Sequence, residues 1–462
     1  MKLFFVLNMT SVDLISMGAG PGGYETAVKA AKAGLKTVII EQDKVGGTCL
    51  NRGCIPTKCF CKNAELISQL KEAESLGIQE LCFGGIDLQK IVSRKNKIVE
   101  SLISGIDLLL KSPNIINVQG KAKFIGNKTI EVDCQDGEKQ IFAAPNIIIA
   151  TGSVTKILPI PGHDLPNVLT STEMLNLTEI PKHIVIIGGG VIGMEFASIF
   201  NSFGSKVTVI EFCKEILPNF DADISKRLKA SLKAKGINII NNAAVSAITD
   251  ETDHYNVSYT LKGETSFVET NLVLMAVGRV ANLNSLNLGD ANIEINKRGI
   301  VTDNDFRTNV DGIFAVGDIN GKCQLAHAAS FQGQHVLNLI LGKEDNIKFN
   351  IIPAAVFTSP EAATVGLTSE YCKSNNIACK THKAFFRTNG KALAMNETDG
   401  MIKIITDEDD RILGCHMFGP HSADLIQEIT VLMNENATLA DLRDIIHTHP
   451  TLGEVVLNAA YS

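Results

Sequence analysis

The sequence predicts an α/β fold of two similar modules followed by an α+β domain, on three observations. The chain has 462 residues, which at about 150 residues per domain gives roughly three domains. A pattern of apolar strand, Gly-x-Gly-x-x-Gly turn, helix and second apolar strand occurs twice, starting 170 residues apart. After about residue 345 the pattern changes to short alternating strands such as Met401–Ile405 and amphipathic helices such as Ser422–Asn434.

The first copy of the repeat lies near the N-terminus. It runs from the strand Val12–Met17 to the alanine-rich helix Ala27–Ala33 and the strand Thr37–Ile40. An acidic residue follows the second strand, 23 residues after the first glycine of the turn. The turn glycines and this acid are Gly18, Gly20, Gly23 and Glu41.

The second copy has the same layout, from Ile184–Ile187 to the helix Met194–Phe203 and the strand Lys206–Ile210. Its turn glycines and its acid, again 23 residues after the first glycine, are Gly188, Gly190, Gly193 and Glu211. The glycines form the bend, admit a pyrophosphate and let helix and strand pack, while the acid accepts hydrogen bonds from ribose hydroxyls. Two Rossmann-like modules, each binding a dinucleotide, are therefore expected.

Three further apolar strands end at glycines and complete the modules. They are Ile147–Ala150 before Thr151-Gly152, Leu272–Ala276 before Val277-Gly278, and Ile313–Val316 before Gly317-Asp318. Four prolines between Ile157 and Pro181 indicate a linker. We predict domains at residues 1–152, 153–275, 276–345 and 346–462.

Composition and charge exclude several classes of protein. Apolar residues make up 45% of the chain, which indicates a globular protein with a large core. The formal charge is −7 and no Lys/Arg run could follow a phosphate backbone, so nucleic acid is not an expected partner. Met1–Asn8 is too short for a signal peptide, Met9 is an alternative start, and no apolar stretch reaches membrane-span length. The eleven cysteines are an odd number and mostly stand singly, so we expect a cytoplasmic protein without membrane insertion.

Two cysteines differ from the others, because Cys49 and Cys54 lie in the glycine-rich segment 46–58. In a regular helix, residues five apart have Cα atoms roughly 8–9 Å apart, beyond the ~7 Å limit for a disulfide. A bridge here needs a distorted turn, which Gly53 and Pro56 are suited to form. A strained bridge of this kind would be redox-active rather than structural.

A metal site is the alternative interpretation of this segment, because Cys59 and Cys61 bring four thiols within 13 residues. The spacing Cys-x4-Cys-x4-Cys-x-Cys departs from the paired spacing of zinc sites, and no histidine lies nearby. Cys59 and Cys61 are more simply small apolar residues of the helix after Pro56. We therefore expect no metal ion.

The order of the motifs resembles the pyridine nucleotide-disulfide oxidoreductase family from about Val12 to Ala460. The motifs that carry the resemblance are Gly18-Ala19-Gly20-Pro21-Gly22-Gly23, the Cys49/Cys54 segment, Ala150-Thr151-Gly152, the second glycine turn, Val277-Gly278-Arg279, Ala315-Val316-Gly317-Asp318, and His449-Pro450-Thr451 with Glu454. The resemblance implies FAD binding by residues 1–152 with 276–345, NAD binding by 153–275, and a homodimer formed by 346–462. It is strongest to members that oxidise protein-bound dihydrolipoamide with NAD as acceptor.

The resemblance also implies roles for individual residues. Cys49 is implied as the thiol that meets the dithiol substrate and Cys54 as the thiol beside the flavin, with Lys58 near the flavin and paired with Glu195. The implied FAD contacts are Gly18, Gly20, Gly23, Glu41, Gly47, Thr48, Lys58, Thr151, Gly152, Asp318 and Ala326. The implied NAD contacts are Gly188, Gly190, Gly193, Glu211 and Gly278.

Oxidation of a dithiol requires a general base, and imidazole suits that role near neutral pH. Glu454 follows His449 by five residues, close enough to orient its ring. On chemistry alone, His447 would serve as well. The resemblance favours His449.

Glu211 predicts NAD rather than NADP, because its carboxylate accepts ribose hydroxyls and repels a 2′-phosphate. This separates the chain from members similar to glutathione reductase. Mercuric reductases carry a cysteine pair near the C-terminus, whereas no cysteine follows Cys415.

Two alternatives stay open: a related disulfide or quinone reductase with another acceptor, and a non-catalytic FAD-binding scaffold or surface-adhesion protein. The expected partner is a lipoyl-bearing acyltransferase or a glycine-cleavage carrier protein.

Overall fold

The computed structural model describes residues 9–462, so the expectations for Met1–Asn8 lie outside the described residues. The chain divides into two compact units. The first contains residues 9–56, Ser93–Lys156 and Arg279–Ile347, and the second contains Thr57–Val92, Ile157–Gly278 and Lys348–Ser462.

The described residues form both strands and helices. The strands are β1 (Met9–Ser11), β2 (Leu14–Met17), β3 (Thr37–Glu41), β4 (Ile115–Gly126), β5 (Thr129–Cys134), β6 (Lys139–Ala143), β7 (Asn146–Ile149), β8 (Ser153–Thr155), β9 (Val168–Leu169), β10 (His183–Ile187), β11 (Lys206–Ile210), β12 (Asn238–Ile240), β13 (Ala243–Glu251), β14 (His254–Leu261), β15 (Glu264–Thr270), β16 (Leu272–Met275), β17 (Arg279–Ala281), β18 (Ile313–Ala315), β19 (Ala354–Val356), β20 (Glu361–Gly366), β21 (Lys380–Phe385), β22 (Met401–Thr406) and β23 (Ile412–Gly419). The α-helices are α1 (Pro21–Lys32), α2 (Gly47–Arg52), α3 (Cys54–Glu72), α4 (Leu88–Leu109), α5 (Ser171–Met174), α6 (Val191–Phe203), α7 (Ala222–Ala234), α8 (Ala326–Ile340), α9 (Ser369–Ser374), α10 (Gly390–Met395), α11 (Ser422–Asn434), α12 (Leu439–Arg443) and α13 (Glu454–Ala460). Short 3-10 helices occupy Ala73–Leu76, Leu288–Ala291, Gly317–Asn320 and Phe386–Thr388.

The first unit is built on an eight-stranded sheet in the order β1-β6-β5-β4-β3-β2-β7-β18. Strands β4, β3, β2, β7 and β18 are parallel, whereas β4, β5 and β6 pair antiparallel. The central strand β2 is buried along its whole length, as expected of a parallel strand covered on both faces. Helices α1 and α8 pack closely, because the Thr26 hydroxyl donates to Gly22 O at 2.6 Å and Gly333 leaves room for that hydroxyl.

The second unit contains a parallel sheet in the order β12-β11-β10-β16-β9, joined to the antiparallel meander β13-β14-β15. Helix α6 follows β10 and buries an almost continuous apolar surface that includes Phe196, Phe200 and Phe203. The predicted strand and helix of this second repeat are therefore present. Part of the predicted linker was wrong: within 157–181, β9 adds a strand to the sheet and α5 is a capped helical turn.

The C-terminal part of the second unit is an antiparallel sheet in the order β19-β20-β23-β22-β21. Helices α11 and α13 supply apolar side chains, among them Ile426, Ile429 and Val455, to a core shared with β20, β22 and β23. This confirms the predicted α+β domain, and the predicted helix Ser422–Asn434 coincides with α11. The division into four domains stays a prediction.

Candidate active site

The first glycine turn joins β2 to α1 in a way that only glycine permits. Gly18 has a φ of +106°, and a Cβ there would lie 2.5 Å from the carbonyl oxygen of Ala150. A side chain at Gly23 would collide with the carbonyl oxygen of Gly18. Gly20 precedes α1, and no side chain caps that helix end, so its first backbone N–H groups are available to an anion.

The acids of the two repeats are held in the same way. Glu41 accepts hydrogen bonds from the backbone N–H of Ala19 at 2.8 Å and of Asp43 at 3.0 Å. Glu211 accepts from the backbone N–H of Gly189 and, at 2.5 Å, of Cys213. Each carboxylate is therefore fixed at the end of its strand, beside its own glycine turn.

The second glycine turn, between β10 and α6, repeats the geometry of the first. Gly188 has a φ of +110°, and a side chain at Gly193 would collide with the carbonyl oxygen of Gly188. Gly190 precedes α6 without a side-chain cap. Gly278 lies just beyond β16, the strand whose end contacts this turn. The arrangement matches the dinucleotide-binding turn expected from the sequence.

The cysteine segment lies directly against the first glycine turn. The backbone N–H of Gly46 donates to Ala19 O at 2.8 Å, and a Cβ at Gly47 would lie 2.7 Å from the Cα of Gly20. Only glycine allows this approach. Helix α2 begins at Gly47, so Thr48 and Cys49 are held beside the start of α1.

A break in the helix separates the two cysteines. Helix α2 ends at Arg52, Gly53 adopts φ −135° and ψ −112°, and α3 begins at Cys54. A Cβ at Gly53 would lie 2.9 Å from Thr48 O and 3.3 Å from the Cα of Cys49, so the turn at Gly53 packs tightly against Cys49 and leaves no room for a side chain. Pro56 lies in the first turn of α3, where it interrupts no helical hydrogen bond. Cys49 is half-buried and Cys54 is exposed.

Cys59 and Cys61 belong to α3, as expected. Cys59 is buried, and the Cys61 thiol donates to Phe357 O at 3.5 Å. Burial raises the pKa of Cys61 to about 12, so it stays a neutral thiol at physiological pH. Across residues 9–462, no group of three or more His, Cys, Asp or Glu side chains is arranged to hold a metal ion.

A polar network surrounds Asp318 in the first unit. Asp318 accepts a hydrogen bond from the Ser153 hydroxyl at 2.5 Å, and the Arg279 guanidinium donates to Ser153 Oγ at 2.7 Å and to Thr48 Oγ1 at 3.4 Å. Burial raises the pKa of Asp318 and lowers that of Arg279, while each charge favours ionisation of the other. A negative charge on Cys54 would also favour the charged form of Arg279, so the two groups lie within electrostatic range of each other.

The remaining residues of the expected FAD site frame this network. Gln332 of α8 accepts from the backbone N–H of Gly317 at 2.8 Å and from Asn320 at 2.9 Å, which fixes the turn that carries Asp318. Ala326 is the first residue of α8. The Thr151 hydroxyl donates to Asn282 O at 3.2 Å, and Asn282 N–H donates to Gly152 O at 3.0 Å.

Lys58 and Glu195 form an ion pair in the second unit. Lys58 Nζ lies 2.8 Å and 3.0 Å from the two Glu195 oxygens and 4.2 Å from the centre of the Phe357 ring. The backbone N–H of Phe357 donates to Glu195 at 3.0 Å. Glu195 is buried, so the pair fixes the direction of the Lys58 side chain.

His449 and Glu454 are paired at the start of α13. His449 Nδ1 lies 2.8 Å from Glu454 Oε1, and the backbone N–H of Thr451 donates to Glu454 Oε2 at 2.9 Å. These two hydrogen bonds, that of His449 first, lower the pKa of Glu454. The His449 side chain is 78% exposed, so its Nε2 is open to solvent and to a substrate.

His447 is differently placed. Its Nε2 lies 2.8 Å from Glu428 Oε1, its Nδ1 lies 2.9 Å from Ile445 O, and its side chain is only 8% exposed. Both ring nitrogens are therefore occupied. The geometry favours His449 over His447 as the residue that meets a substrate.

Comparison with known proteins identifies the family. Residues 12–333 match the model of the pyridine nucleotide-disulphide oxidoreductases, and residues 352–460 match the dimerisation domain of the same group. The chain belongs to this family. The family and the fold class predicted from the order of the motifs are confirmed.

Members of the family are similar over nearly the whole chain. A dihydrolipoyl dehydrogenase of Chlamydia muridarum is 42% identical over 452 residues, covering 97% of this chain and 96% of the relative. A dihydrolipoyl dehydrogenase of Bacillus subtilis is 38% identical over 464 residues, covering 98% of each. The structure of RclA, an HOCl-induced flavoprotein disulfide reductase of Escherichia coli, superposes with a TM-score of 0.86 at 31% identity, covering 97% of this chain and 99% of RclA.

Sequence reasoning missed four residues of the site: Asn51, Ser153, Gln332 and Phe357. Ser153, Gln332 and Phe357 make contacts with residues distant in the sequence. Asn51 instead makes local contacts, because its side-chain amide donates to Val45 O and Gly47 O at 2.9 Å. Arg279 belongs to the motif Val277-Gly278-Arg279, and the motif alone gives it no role. Ser153 and Arg279 could have been found from their positions in the sequence, because each directly follows a glycine at the end of an apolar strand.

Proposed function

We propose that the chain is an NAD-dependent flavoenzyme that oxidises protein-bound dihydrolipoamide to lipoamide. The observation that carries the proposal is the break at Gly53, where the residue just before Cys54 packs against Thr48 and Cys49, next to the first glycine turn. Full-length similarity to dihydrolipoyl dehydrogenases supports the substrate. A scaffold would need neither this cysteine pair nor an exposed His449–Glu454 pair.

The first unit fits FAD. The uncapped start of α1 suits a pyrophosphate, Glu41 suits ribose hydroxyls, and Asp318 suits a hydroxyl-bearing chain. Asn51 Oδ1 is buried without a hydrogen-bond partner among the described residues, so it can accept a hydrogen bond from a bound group. Bound FAD supplies a two-electron acceptor that passes reducing equivalents to NAD.

The residues of the chain carry out the thiol chemistry. His449 Nε2 takes a proton from one substrate thiol, and the resulting thiolate attacks Cys49 Sγ. The Cys49–Cys54 bond breaks, a mixed disulfide forms, and Cys54 leaves as a thiolate beside Arg279. The second substrate thiol then attacks the substrate sulfur of the mixed disulfide and its proton passes to the departing Cys49 sulfur, which releases lipoamide and leaves Cys49 as a thiol. Glu454 orients the imidazole and stabilises its protonated form.

The assay that tests the function compares substrates and acceptors in one preparation. Purified protein is given dihydrolipoamide, glutathione disulfide or mercuric ion, each with the matching form of NAD or NADP. The proposal predicts turnover with dihydrolipoamide and NAD that exceeds every other pair. Faster turnover of glutathione disulfide or mercuric ion would instead identify a related disulfide or metal-ion reductase.

Replacing Glu211 with glutamine should narrow the preference for NAD over NADP by roughly tenfold or more, because a full charge facing the 2′-phosphate is removed. The kcat/KM values for NAD and NADP measure the ratio. The control is Asp250→Asn, which removes an exposed carboxylate on β13. Equal use of both dinucleotides by the wild-type enzyme would contradict the role of Glu211.

We propose that the working unit is a homodimer in which His449 serves Cys49 of the other subunit. Residues 352–460 match a dimerisation domain, and this segment carries the exposed His449–Glu454 pair. A large apolar interface is expected for an obligate dimer of this kind. Each active site would then combine Cys49 and Cys54 of one subunit with His449 and Glu454 of the other.

Mixing two inactive variants, Cys49→Ser and His449→Gln, should restore activity after the subunits are dissociated and reassembled. A heterodimer of these variants contains one site with both Cys49 and His449 intact. Dihydrolipoamide turnover is measured on heterodimers confirmed by mass, with wild-type subunits treated in parallel. If the heterodimers stay inactive while the wild-type protein recovers, the shared site is wrong.

The lipoyl-bearing partner follows from the proposed substrate: an acyltransferase of a 2-oxoacid dehydrogenase complex or a glycine-cleavage carrier protein. These partners favour a cytoplasmic location for the protein. Cysteines that mostly stand singly as reduced thiols favour the same compartment. No helix within residues 9–462 is both long enough and apolar enough to cross a membrane.

A further inference from the structure

Two cysteines outside the active site are brought together by a short chain reversal. Cys372 lies in α9 and Cys379 immediately precedes β21. After α9 the chain turns back, with the backbone N–H of Asn375 bonded to Tyr371 O at 3.0 Å and that of Ile377 to Cys372 O at 2.9 Å. Cys379 therefore returns to the end of the helix that carries Cys372.

The two side chains lie close enough to influence each other's ionisation, and both are free thiols. Cys372 is fully buried, whereas Cys379 is half-buried. Burial, followed by the interaction with Cys379, raises the pKa of Cys372 to about 11, so Cys372 keeps its proton at neutral pH. Cys379 is the more accessible sulfur of the pair and the one prepared to react first.

The segments on either side of this cysteine pair contact the start of helix α7. The backbone N–H of Ser369, at the start of α9, donates to Asp221 at 3.2 Å. Lys383 of β21 lies 2.8 Å from Asp223, and Asp221 also pairs with the buried Lys403 at 2.9 Å. A covalent link between α9 and β21 would therefore tie together two of the segments that hold the start of α7.

We propose that Cys372 and Cys379 form a second oxidisable dithiol, which closes to a disulfide by exchange with a small-molecule disulfide. The Cys379 thiolate attacks one sulfur of the small disulfide, giving a mixed disulfide and one released thiolate. The Cys372 sulfur then attacks Cys379 Sγ and releases the second small thiol, while the Cys372 proton is transferred to a released thiolate or to water. The protein dithiol is oxidised by two electrons and the small disulfide is reduced to two thiols.

The geometry suits this exchange. The loop between the cysteines, residues 373–378, is exposed along its whole length and can adjust as the sulfurs approach bonding distance. The bridge closes a ring within a chain segment that is already folded back, so it should stabilise the segment by restricting the unfolded chain. The site does not depend on Cys49 or Cys54.

The test uses glutathione disulfide on the intact holoenzyme, followed by alkylation of remaining thiols and digestion with trypsin. Lys373 separates the two cysteines, so the bridge would join the peptides 349–373 and 374–380. The expected result is this linked pair of peptides, which is lost on reduction. The Cys49/Cys54 peptides in the same digest report whether the active site was oxidised, independently of the second dithiol.

Two variants test the order of events. In Cys372→Ser, Cys379 should retain a glutathione adduct, because the resolving thiol is absent. In Cys379→Ser, Cys372 should carry no adduct, because it is buried. Oxidation should also raise the Tm of the wild-type protein by roughly 3 °C or more relative to Cys379→Ser treated in the same way.

The proposal is overturned if the wild-type protein accumulates a glutathione adduct on Cys379 without the linked peptides. It is also overturned if both cysteines are fully alkylated after treatment that oxidises the Cys49/Cys54 pair. An adduct on Cys372 in the Cys379→Ser variant would reverse the assignment of the attacking thiol. None of these outcomes depends on turnover of dihydrolipoamide.

Discussion

Replacing His449 with glutamine should lower kcat for dihydrolipoamide oxidation by about 100- to 10,000-fold, the contribution typical of a positioned general base. Glutamine keeps a polar side chain beside Glu454 but cannot take the proton of a substrate thiol. The loss should shrink as the pH rises, because the substrate thiols then ionise without help. Steady-state kinetics of the variant and the wild-type enzyme over a range of pH measure both effects.

The matched control for this prediction is His421→Gln. His421 lies in the same domain, its side chain is 58% exposed and its ring lies 3.8 Å from Asp424, so kcat should be unchanged. Flavin content and Tm show whether either variant is misfolded. A His449→Gln enzyme with wild-type kcat at neutral pH would show that another group removes the proton.

Glu454 should act by holding the His449 ring. Its pKa is lowered by the hydrogen bonds from His449 and from the backbone N–H of Thr451. A carboxylate with a lowered pKa stabilises the folded arrangement at neutral pH, and that stabilisation is lost only as the pH falls through the acid range. The His449 ring therefore stays oriented at the pH of the reaction.

The repeats were predictable because their signals are local. Gly18, Gly23 and their counterparts stand where a side chain would collide with the backbone, so the sequence marks the turn directly. The helix α11 was predicted with its observed ends because its apolar residues recur at helical spacing between polar neighbours. The acids Glu41 and Glu211 were found by their distance from the turn.

Other parts of the fold depend on contacts that the sequence does not mark. The predicted helix Ala27–Ala33 starts at Pro21 in the structure, because Gly22 and Gly23 are helical where α1 packs against α8. Strand β4 pairs with β3 on one side and with β5 on the other, and the first pairing joins residues far apart in the chain. The helical turn α5 was missed although Thr170 and Glu173 form a recognisable capping box.

The polar network of the site shows the same limit. Arg279 contacts Ser153 across 126 residues, and Gln332 fixes the Asp318 turn from a separate helix. No spacing rule connects such residues. By contrast, the break between Cys49 and Cys54 was predictable because it involves only neighbours, with Gly53 supplying the turn and Pro56 fitting the first turn of α3.

Replacing either active-site cysteine with serine should lower dihydrolipoamide oxidation by at least about 1,000-fold, because a serine cannot take part in the disulfide exchange. The two variants should nevertheless differ in their spectra. We expect two-electron reduction of the wild-type enzyme to give a long-wavelength absorbance from a thiolate beside the flavin. Cys49→Ser should show this absorbance without reduction, and Cys54→Ser should lack it under all conditions.

The structural reason lies in the surroundings of the two sulfurs. Cys54 starts α3 within electrostatic range of the Arg279 guanidinium, and a cation next to a cysteine generally stabilises a thiolate. Cys49 lies one helix earlier and is half-buried, and its assignment to the substrate follows the family pattern. Anaerobic titration monitored by absorbance measures the difference, and Cys134→Ser, a half-buried thiol on β5, is the control that should behave as the wild-type enzyme. Long-wavelength absorbance in Cys54→Ser, with none in Cys49→Ser, would exchange the roles of the two cysteines while leaving the reaction itself unchanged.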